Sequence, residues 1–248
     1  MKYEYKESGL DWIGKYPKHW NLTTIKKEFW VIPSNVDKRT EDDEEEVKLC
    51  NYVDVYYNDF IHSKIDFMIA TATEGEIKKF QLEIGDVLIT KDSEDPFDIA
   101  VPALVKETEE KLLCGYHLSM LRSINKKIDG AFLFWALKDE VIATQLWREA
   151  CGITRWAIAS RHIKNSIIPF PPKEEQTAIV AYLKKVCSDI DKVIELKVGK
   201  IKIDDTESNS QVNILRQYKK SLIHEVVTGK KQVYGLEKEK LKPQAVNA

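Results

Sequence analysis

Three short polar interruptions between apolar stretches carry the side chains best suited to gripping another molecule. Lys91 opens the first, Lys91-Asp92-Ser93-Glu94-Asp95-Pro96. Tyr116 and His117 follow Gly115 in the second, and Thr154, Arg155 and Trp156 make the third, with Arg161, His162 and Lys164 soon after. Taken singly, a Lys or Arg is most often a solvated loop residue. Together the types say more. The fork of an arginine fits a phosphate or the edge of a guanine, while Tyr, His and Trp rings stack on or wedge against bases. Basic and aromatic residues on adjacent loops therefore suit a reader of duplex nucleic acid.

Catalytic chemistry finds little support. Asp98 followed by Glu109-x-Lys111 faintly resembles a metal-dependent nuclease triad, and the five histidines are dispersed. No Gly-x-Gly occurs and no Walker lysine loop, which leaves no recognisable pocket for a nucleotide or S-adenosylmethionine. Phe170-Pro171-Pro172-Lys173 is not the Asn-Pro-Pro-Tyr type of tetrapeptide used in amino methylation. Cys50, Cys114, Cys151 and Cys187 stand singly, with no histidine at zinc spacing, so they read as buried or inert thiols. Neither a disulfide nor a metal is expected, and no cofactor on this chain. Any chemistry belongs to a partner.

The net charge of −2 argues at first against a nucleic-acid binder. Residues 1–172 hold 23 Lys plus Arg against 29 Asp plus Glu, and the six acids of Glu41–Glu46 account for the whole difference. That run reads as a solvated loop, with phosphate mimicry a lesser alternative. Binding would thus rest on local basic loops rather than on an overall basic surface. With 43% apolar residues in 248, the chain has enough to bury a core. No apolar run approaches the ~20 residues of a membrane span, and the start lacks the apolar stretch of a secretory signal. A soluble, cytoplasmic protein without membrane contact is expected.

The elements that must carry these loops are mostly strands. Trp12, Ile13, Tyr16, Pro17, His19 and Trp20 make an aromatic lead-in that braces the first segment, and Leu22 and Ile25 open a strand or helix. Leu49, Tyr52, Val53, Val55 and Tyr56 read as one strand, and Phe80–Thr90 as another with a Gly85-Asp86 turn. Thr73 to Phe80 suits a short helix, Ile99–Val105 and Leu112–Leu121 suit strands, and Ile128–Glu149 suits a buried helix broken near Lys138-Asp139.

From Ile167 the chain changes character. Pro169, Phe170, Pro171 and Pro172 give a stiff, extended exit, and Pro172 with Glu174 and Glu175 has the chemistry of a helix start. Ile179, Leu183, Val186, Ile190 and Val193 then recur at spacings of four, three, four and three, the seam of a coiled coil, for a helix of about thirty residues or ~45 Å. The seam continues through Ile194, Val198 and Ile201 with a slip in register. Residues 204–211 are polar and leave open whether the chain bends or one long helix runs on. Ile214, Leu215, Tyr218, Leu222 and Val226 form a second stripe ending at Thr228-Gly229, a glycine C-cap, before a polar, frayed tail.

Four stretches together resemble the DNA-specificity subunits of type I restriction-modification systems: Ser8–Lys27 (SGLDWIGKYPKHWNLTTIKK), Ile84–Lys91 (IGDVLITK), the Gly152-x-Thr154-Arg155 turn with IKNSIIPFPPKEEQTAIVAYL, and Tyr218–Lys230 (YKKSLIHEVVTGK). The resemblance implies an α/β (α+β) arrangement: a strand-rich mixed target-recognition domain over residues 1–172, a long helical coiled-coil, dimerisation and spacer region over 173–230, and a flexible tail over 231–248. It implies a non-catalytic subunit that reads a few base pairs of double-stranded DNA and docks DNA methyltransferase (modification) subunits, on which S-adenosylmethionine is expected. A restriction/translocase subunit would join through the complex. Within this resemblance the DNA contacts fall to Lys91, Tyr116, His117, Thr154, Arg155 and Trp156. The coiled-coil and dimer contacts fall to Ile179, Leu183, Val186, Ile190, Val193, Leu215 and Leu222.

Full-length members of that family resemble two recognition domains separated by two long antiparallel helices that act as a ruler. This sequence carries one domain and one helical region, which suits either a half-subunit that dimerises or one half of a split gene. The first helix has more apolar stripe than the shorter second one covers, and exposing ~400 Å² of it would cost about 10 kcal/mol. A two-fold homodimer reading an interrupted palindrome is the resulting expectation. Two readings of other classes stand beside it, a coiled-coil protein-interaction adaptor without DNA binding and a metal-dependent nuclease.

Overall fold

The computed structural model describes residues 3–124, 129–198 and 206–233, without the side chains of 206–209. Ile128, residues 199–205 with Ile201 and the start of the polar 204–211 stretch, and the tail from 234 lie outside them. The chain divides into two compact units, one of Leu22–Ile168 and one combining the described residues of Met1–Asn21 and Pro169–Ala248. The N-terminal lead-in thus groups with the helices, whereas the sequence reading assigned residues 1–172 to one body.

That lead-in contains β1 (Tyr5–Glu7) and β2 (Lys15–Pro17), paired antiparallel with Tyr5 opposite Pro17. Ile13, Tyr16 and Trp20 are buried, as expected of bracing aromatics.

The unit Leu22–Ile168 begins within β3 (Asn21–Thr24) and continues through α1 (Ile25–Glu28), β4 (Phe29–Pro33), β5 (Glu45–Cys50), α2 (Tyr52–Tyr57), β6 (Phe60–Ile61), β7 (Met68–Ala72) and α3 (Glu74–Phe80). Then come β8 (Val87–Thr90), β9 (Asp92–Ser93), a single 3-10 turn at Pro96–Asp98, β10 (Pro102–Val105), β11 (Leu112–Cys114) and β12 (Leu118–Ser123). It closes with α4 (Gly130–Leu137), α5 (Glu140–Trp147), β13 (Cys151–Gly152), β14 (Trp156–Ala157), α6 (Ser160–Asn165) and β15 (Ile167–Phe170). A five-stranded sheet runs β4-β12-β8-β10-β6, antiparallel except for β10 with β6. A second sheet runs β11-β5-β7, and a third, small one runs β13-β14-β9. The fold is mixed α/β and strand-rich, as the sequence implied.

Apolar residues from both larger sheets meet in one core that includes Val47, Leu49, Leu88, Val105, Leu113 and Met120. All eight residues of α4 are buried, and the helix packs on β8, β10 and β12. Gly130 is required at its start, because a Cβ there would lie 1.9 Å from the Gly85 carbonyl oxygen. The expected break falls at Asp139, whose carboxylate accepts from Val141 N at 3.2 Å and caps α5. Thr73 caps α3 in a capping box with Glu76.

One expected strand is a helix. The strand from Leu49 ends at Cys50, and Tyr52–Tyr57 is helical because the buried Asn51 and Asp54 form a capping box, with Asn51 N donating to Asp54 Oδ2 at 2.7 Å. Two reciprocal cap hydrogen bonds outweigh the weak strand preference of Tyr and Val. Among the cysteines, Cys50, Cys114 and Cys187 are buried, but Cys151 is exposed at the edge of the small sheet.

In the other unit, α7 (Lys173–Val198) follows the proline exit and α8 (Thr206–Val227) follows residues 199–205. They run antiparallel: Lys219 Nζ donates to Asp191 at 2.7 Å and Lys197 Nζ donates to Gln211 at 2.6 Å. The buried stripe of α7 is Ile179, Leu183, Cys187 and Ile190. Cys187 therefore takes the seam position expected of Val186, which is half-buried, and Val193 is 41% exposed. On α8 the seam is Val212, Leu215, Leu222 and Val226, with Leu215 half-buried and Ile214 and Tyr218 exposed. Ile179, Leu183, Cys187 and Ile190 are thus covered within the chain, while Val193 at the far end of the expected seam and Leu196 beyond it are exposed. Past Val227, Gly229 adopts φ +74°, the left-handed turn of a helix C-cap.

Candidate nucleic-acid interface

The three polar interruptions lie side by side because the main chain ties them. Lys91 N donates to His117 O at 3.0 Å, and Ile158 N donates to Lys91 O at 2.9 Å, so the segment after β8 is bracketed by the β11–β12 turn and by the strand that follows Arg155. β14 pairs antiparallel with β9, placing Trp156 opposite Ser93 and Ala157 opposite Asp92. At the hairpin between β13 and β14, Gly152 is indispensable, since a Cβ there would lie 1.9 Å from Arg155 O. The turn this permits leaves Thr154 exposed and Ile153 96% exposed at its tip.

One carboxylate gathers the side chains. Asp92 Oδ1 accepts from Arg155 Nη2 at 3.2 Å and hydrogen-bonds His117 Nδ1, while Oδ2 accepts from Lys91 Nζ at 3.1 Å. Arg155 Nη2 also lies 3.4 Å from His117 Nε2. The Tyr116 and His117 rings sit in contact, their centroids 3.6 Å apart. Burial pushes His117 below its ordinary pKa, Arg155 and Lys91 push the same way, and Asp92 opposes them. In the neutral imidazole that results, Nδ1–H donates to Asp92, and Arg155 Nη2 lies 3.4 Å from both ring nitrogens.

Of the six residues expected to touch DNA, Lys91, His117 and Arg155 converge on Asp92, with the Tyr116 ring tilted at 42° against His117 and Trp156 supporting the hairpin from β14. Thr154 is exposed at the tip of the hairpin. Sequence reasoning missed Asp92, whose role is visible only when three loops are folded together. It also missed Lys38 and Arg39. These line a shallow cavity of about 540 Å³ with Ser34, Asn35, Asp37, Lys91 and Tyr116, so the basic surface extends from the cluster to the loop after β4. Their adjacency ahead of the acidic run was the available signal. His162 bonds instead to Glu149 at 2.7 Å on α6, and Arg161 and Lys164 are exposed there.

The residues of the nuclease-like pattern are engaged apart from one another. Asp98 accepts from Tyr56 at 3.1 Å, Glu109 from Lys48 at 2.6 Å, and Glu45 from Lys111 at 2.7 Å. No group of metal-binding side chains occurs among the described residues, and no helix among them is long and apolar enough to cross a membrane.

Residues 34–225 match the family model described as the type I restriction modification DNA specificity domain. Two relatives from Methanocaldococcus jannaschii are similar over most of the chain. The putative type I restriction enzyme MjaX specificity subunit is 26% identical across 87% of this chain and 47% of its own length. The type I restriction enzyme MjaVIII specificity subunit is 23% identical across 94% of this chain and 51% of its own. This chain thus spans about half the length of the curated relatives it matches. Among solved structures, the HsdS subunit from Thermoanaerobacter tengcongensis shares the fold at TM-score 0.55 and 19% identity, over 74% of this chain and 46% of that one. A chain from the work on complex assembly and conformational transition of the type I R-M system does so at TM-score 0.55 and 16% identity, over 90% and 48%.

Proposed function

Because the chain belongs to the type I restriction-modification DNA specificity family, we propose that its unit Leu22–Ile168 reads one half of a bipartite duplex target and that the chain itself performs no catalysis. The observation that carries this is the convergence of Lys91, Tyr116, His117 and Arg155 from three loops, continued by Lys38 and Arg39. Lysines supply phosphate attraction without sequence preference, and an arginine fork held by a fixed partner supplies preference for particular base edges. Modification subunits bring S-adenosylmethionine and dock on the helical unit, and a restriction/translocase subunit joins through the complex, in the cytoplasm where the DNA is.

Reading a bipartite target requires a second recognition unit, and α7 and α8 offer the means. Helical spacing sets Val186, Val193 and Leu196 on one flank of α7 and Ile214 and Tyr218 on the same flank of the antiparallel pair. All but Val186 are exposed, Leu196 and Ile214 at 64% each. A second copy covering this flank restores the length that the relatives have in one chain.

The test is an electrophoretic shift with random duplexes, with and without a cognate modification subunit, followed by methylation mapping of DNA modified by the reconstituted complex. Retarded duplex and a target of two identical, inverted half-sites are expected. A chain that retains no duplex in either setting is an adaptor, cutting with a divalent metal alone would make it a nuclease, and two unlike half-sites would show that the second reader comes from another chain.

A further inference from the structure

A carboxylate in the centre of a surface that must meet phosphates is an anomaly, since it repels the ligand and weakens the field of its neighbours. Asp92 is nonetheless the residue on which the interface is built. Its side chain is 15% exposed and faces Lys91, His117 and Arg155, which arrive from β8, the β11–β12 turn and the β13–β14 hairpin. Both oxygens are used, and the charges around it sum to one positive unit: Lys91 and Arg155 against Asp92, with a neutral imidazole. Arg155 spends only Nη2 on these contacts, and its side chain is 53% exposed. Its Nε and Nη1 have no partner among the described residues, so the fork is anchored at one corner and open along the edge that a base or phosphate would use.

We propose that Asp92 is the positioning residue for specificity in this interface. It fixes the direction of the Arg155 fork and the His117 ring, and by cancelling one of the two basic charges it keeps attraction to arbitrary phosphate low, so that tight binding waits for the right base edge. The assignment rests on the DNA-reading function proposed above and adds to it the means by which correct and incorrect sequences are separated.

The experiment uses the full chain in its reconstituted complex with modification subunits. The probes are the duplex that the wild-type complex enriches from a randomised pool and a scrambled version of it. Asp92→Asn, which keeps the shape and removes the charge, is expected to bind the scrambled duplex more tightly, with a salt slope steeper by up to about one unit, and to lose about tenfold in preference for the enriched duplex. Asp92→Glu keeps the charge but displaces the carboxylate by one methylene, and is expected to lose preference without gaining scrambled-duplex affinity. Combining Asp92→Asn with Arg155→Ala should lose less preference than the two single losses added, because both act through one fork. A merely structural aspartate would lower the melting temperature and both affinities together, without changing the salt slope. Full preference retained by both Asp92 variants overturns this assignment alone. A wild-type complex that enriches no sequence overturns the reading function and the assignment with it.

Discussion

The indole of Trp20 donates from Nε1 to Glu175 Oε2 at 2.9 Å, joining the aromatic lead-in to the first turn of the long helix α7. Tyr3 OH donates to the same oxygen at 2.8 Å, and His19 Nε2 lies 2.6 Å from Oε1. Three side chains separated from Glu175 by more than 150 residues thus share one carboxylate that is 5% exposed. Replacing Glu175 with Leu removes the carboxylate that accepts from the buried indole N–H and from Tyr3, and losing a hydrogen bond to a charged group costs about 1–3 kcal/mol. Chemical denaturation should show that loss, with Glu175→Gln retaining part of it. An unchanged midpoint in Glu175→Leu would mean the lead-in is held by apolar packing alone.

Arg155→Ala should reduce the preference for the enriched duplex by about 1–3 kcal/mol, the value of a bidentate arginine contact with a base edge. Its half-exposed side chain contributes little to folding. Binding competition and a thermal melt on the same sample check both halves of this statement, and equal preference in mutant and wild type would remove Arg155 from the readers.

His117 supplies a pH signature. Its folded pKa is depressed, chiefly by burial, so between that value and the unfolded value of about 6.5 the unfolded chain binds a proton that the folded one does not. The stabilisation from the neutral ring is therefore present above about pH 6.5 and is lost as pH falls through that value toward the folded pKa. The difference in melting temperature between wild type and His117→Gln should shrink or reverse from pH 7.5 to 5.5. A difference that does not vary with pH would show that His117 titrates as it does in the unfolded chain.

Ile190 and Leu196 separate folding from association. Ile190 is 7% exposed in the seam, so Ile190→Asp buries an unpaired charge and should lower helicity and disrupt the helix pair. Leu196, at 64% exposure, stands on the outer flank, and Leu196→Asp with Tyr218→Asp should leave helicity intact while shifting sedimentation toward the monomer. Unaltered self-association in the flank mutant would place the dimer contact elsewhere.

How much of this was readable from sequence depended on whether the deciding interaction was local. The proline exit into α7, the break near Lys138-Asp139 and the short helix from Thr73 to Phe80 are local, set by residues within a few positions, and all were legible. The helix at Tyr52–Tyr57 was equally local but was misread, because its aromatic and β-branched composition drew attention from the Asn51 and Asp54 that cap it. The seam of α7 was legible in period but not in register. Cys187 was counted as an inert thiol, yet as a small apolar side chain it fits the seam that Val186 was expected to fill. Asp92 and Glu175 could not be found in this way. Each acquires its partners only when distant segments meet, and in the sequence each is one more acid in a charged chain.

Because His117 O, Lys91 N and O, and Ile158 N hold the three loops together through atoms every residue except proline possesses, the side chains at 91, 117 and 155 can be exchanged without dismantling their support. On the proposed reading function, such a surface is open to retargeting: a library confined to those three positions, with Gly152 and the strand pairing left alone, is expected to alter which duplex is preferred while the protein keeps its fold.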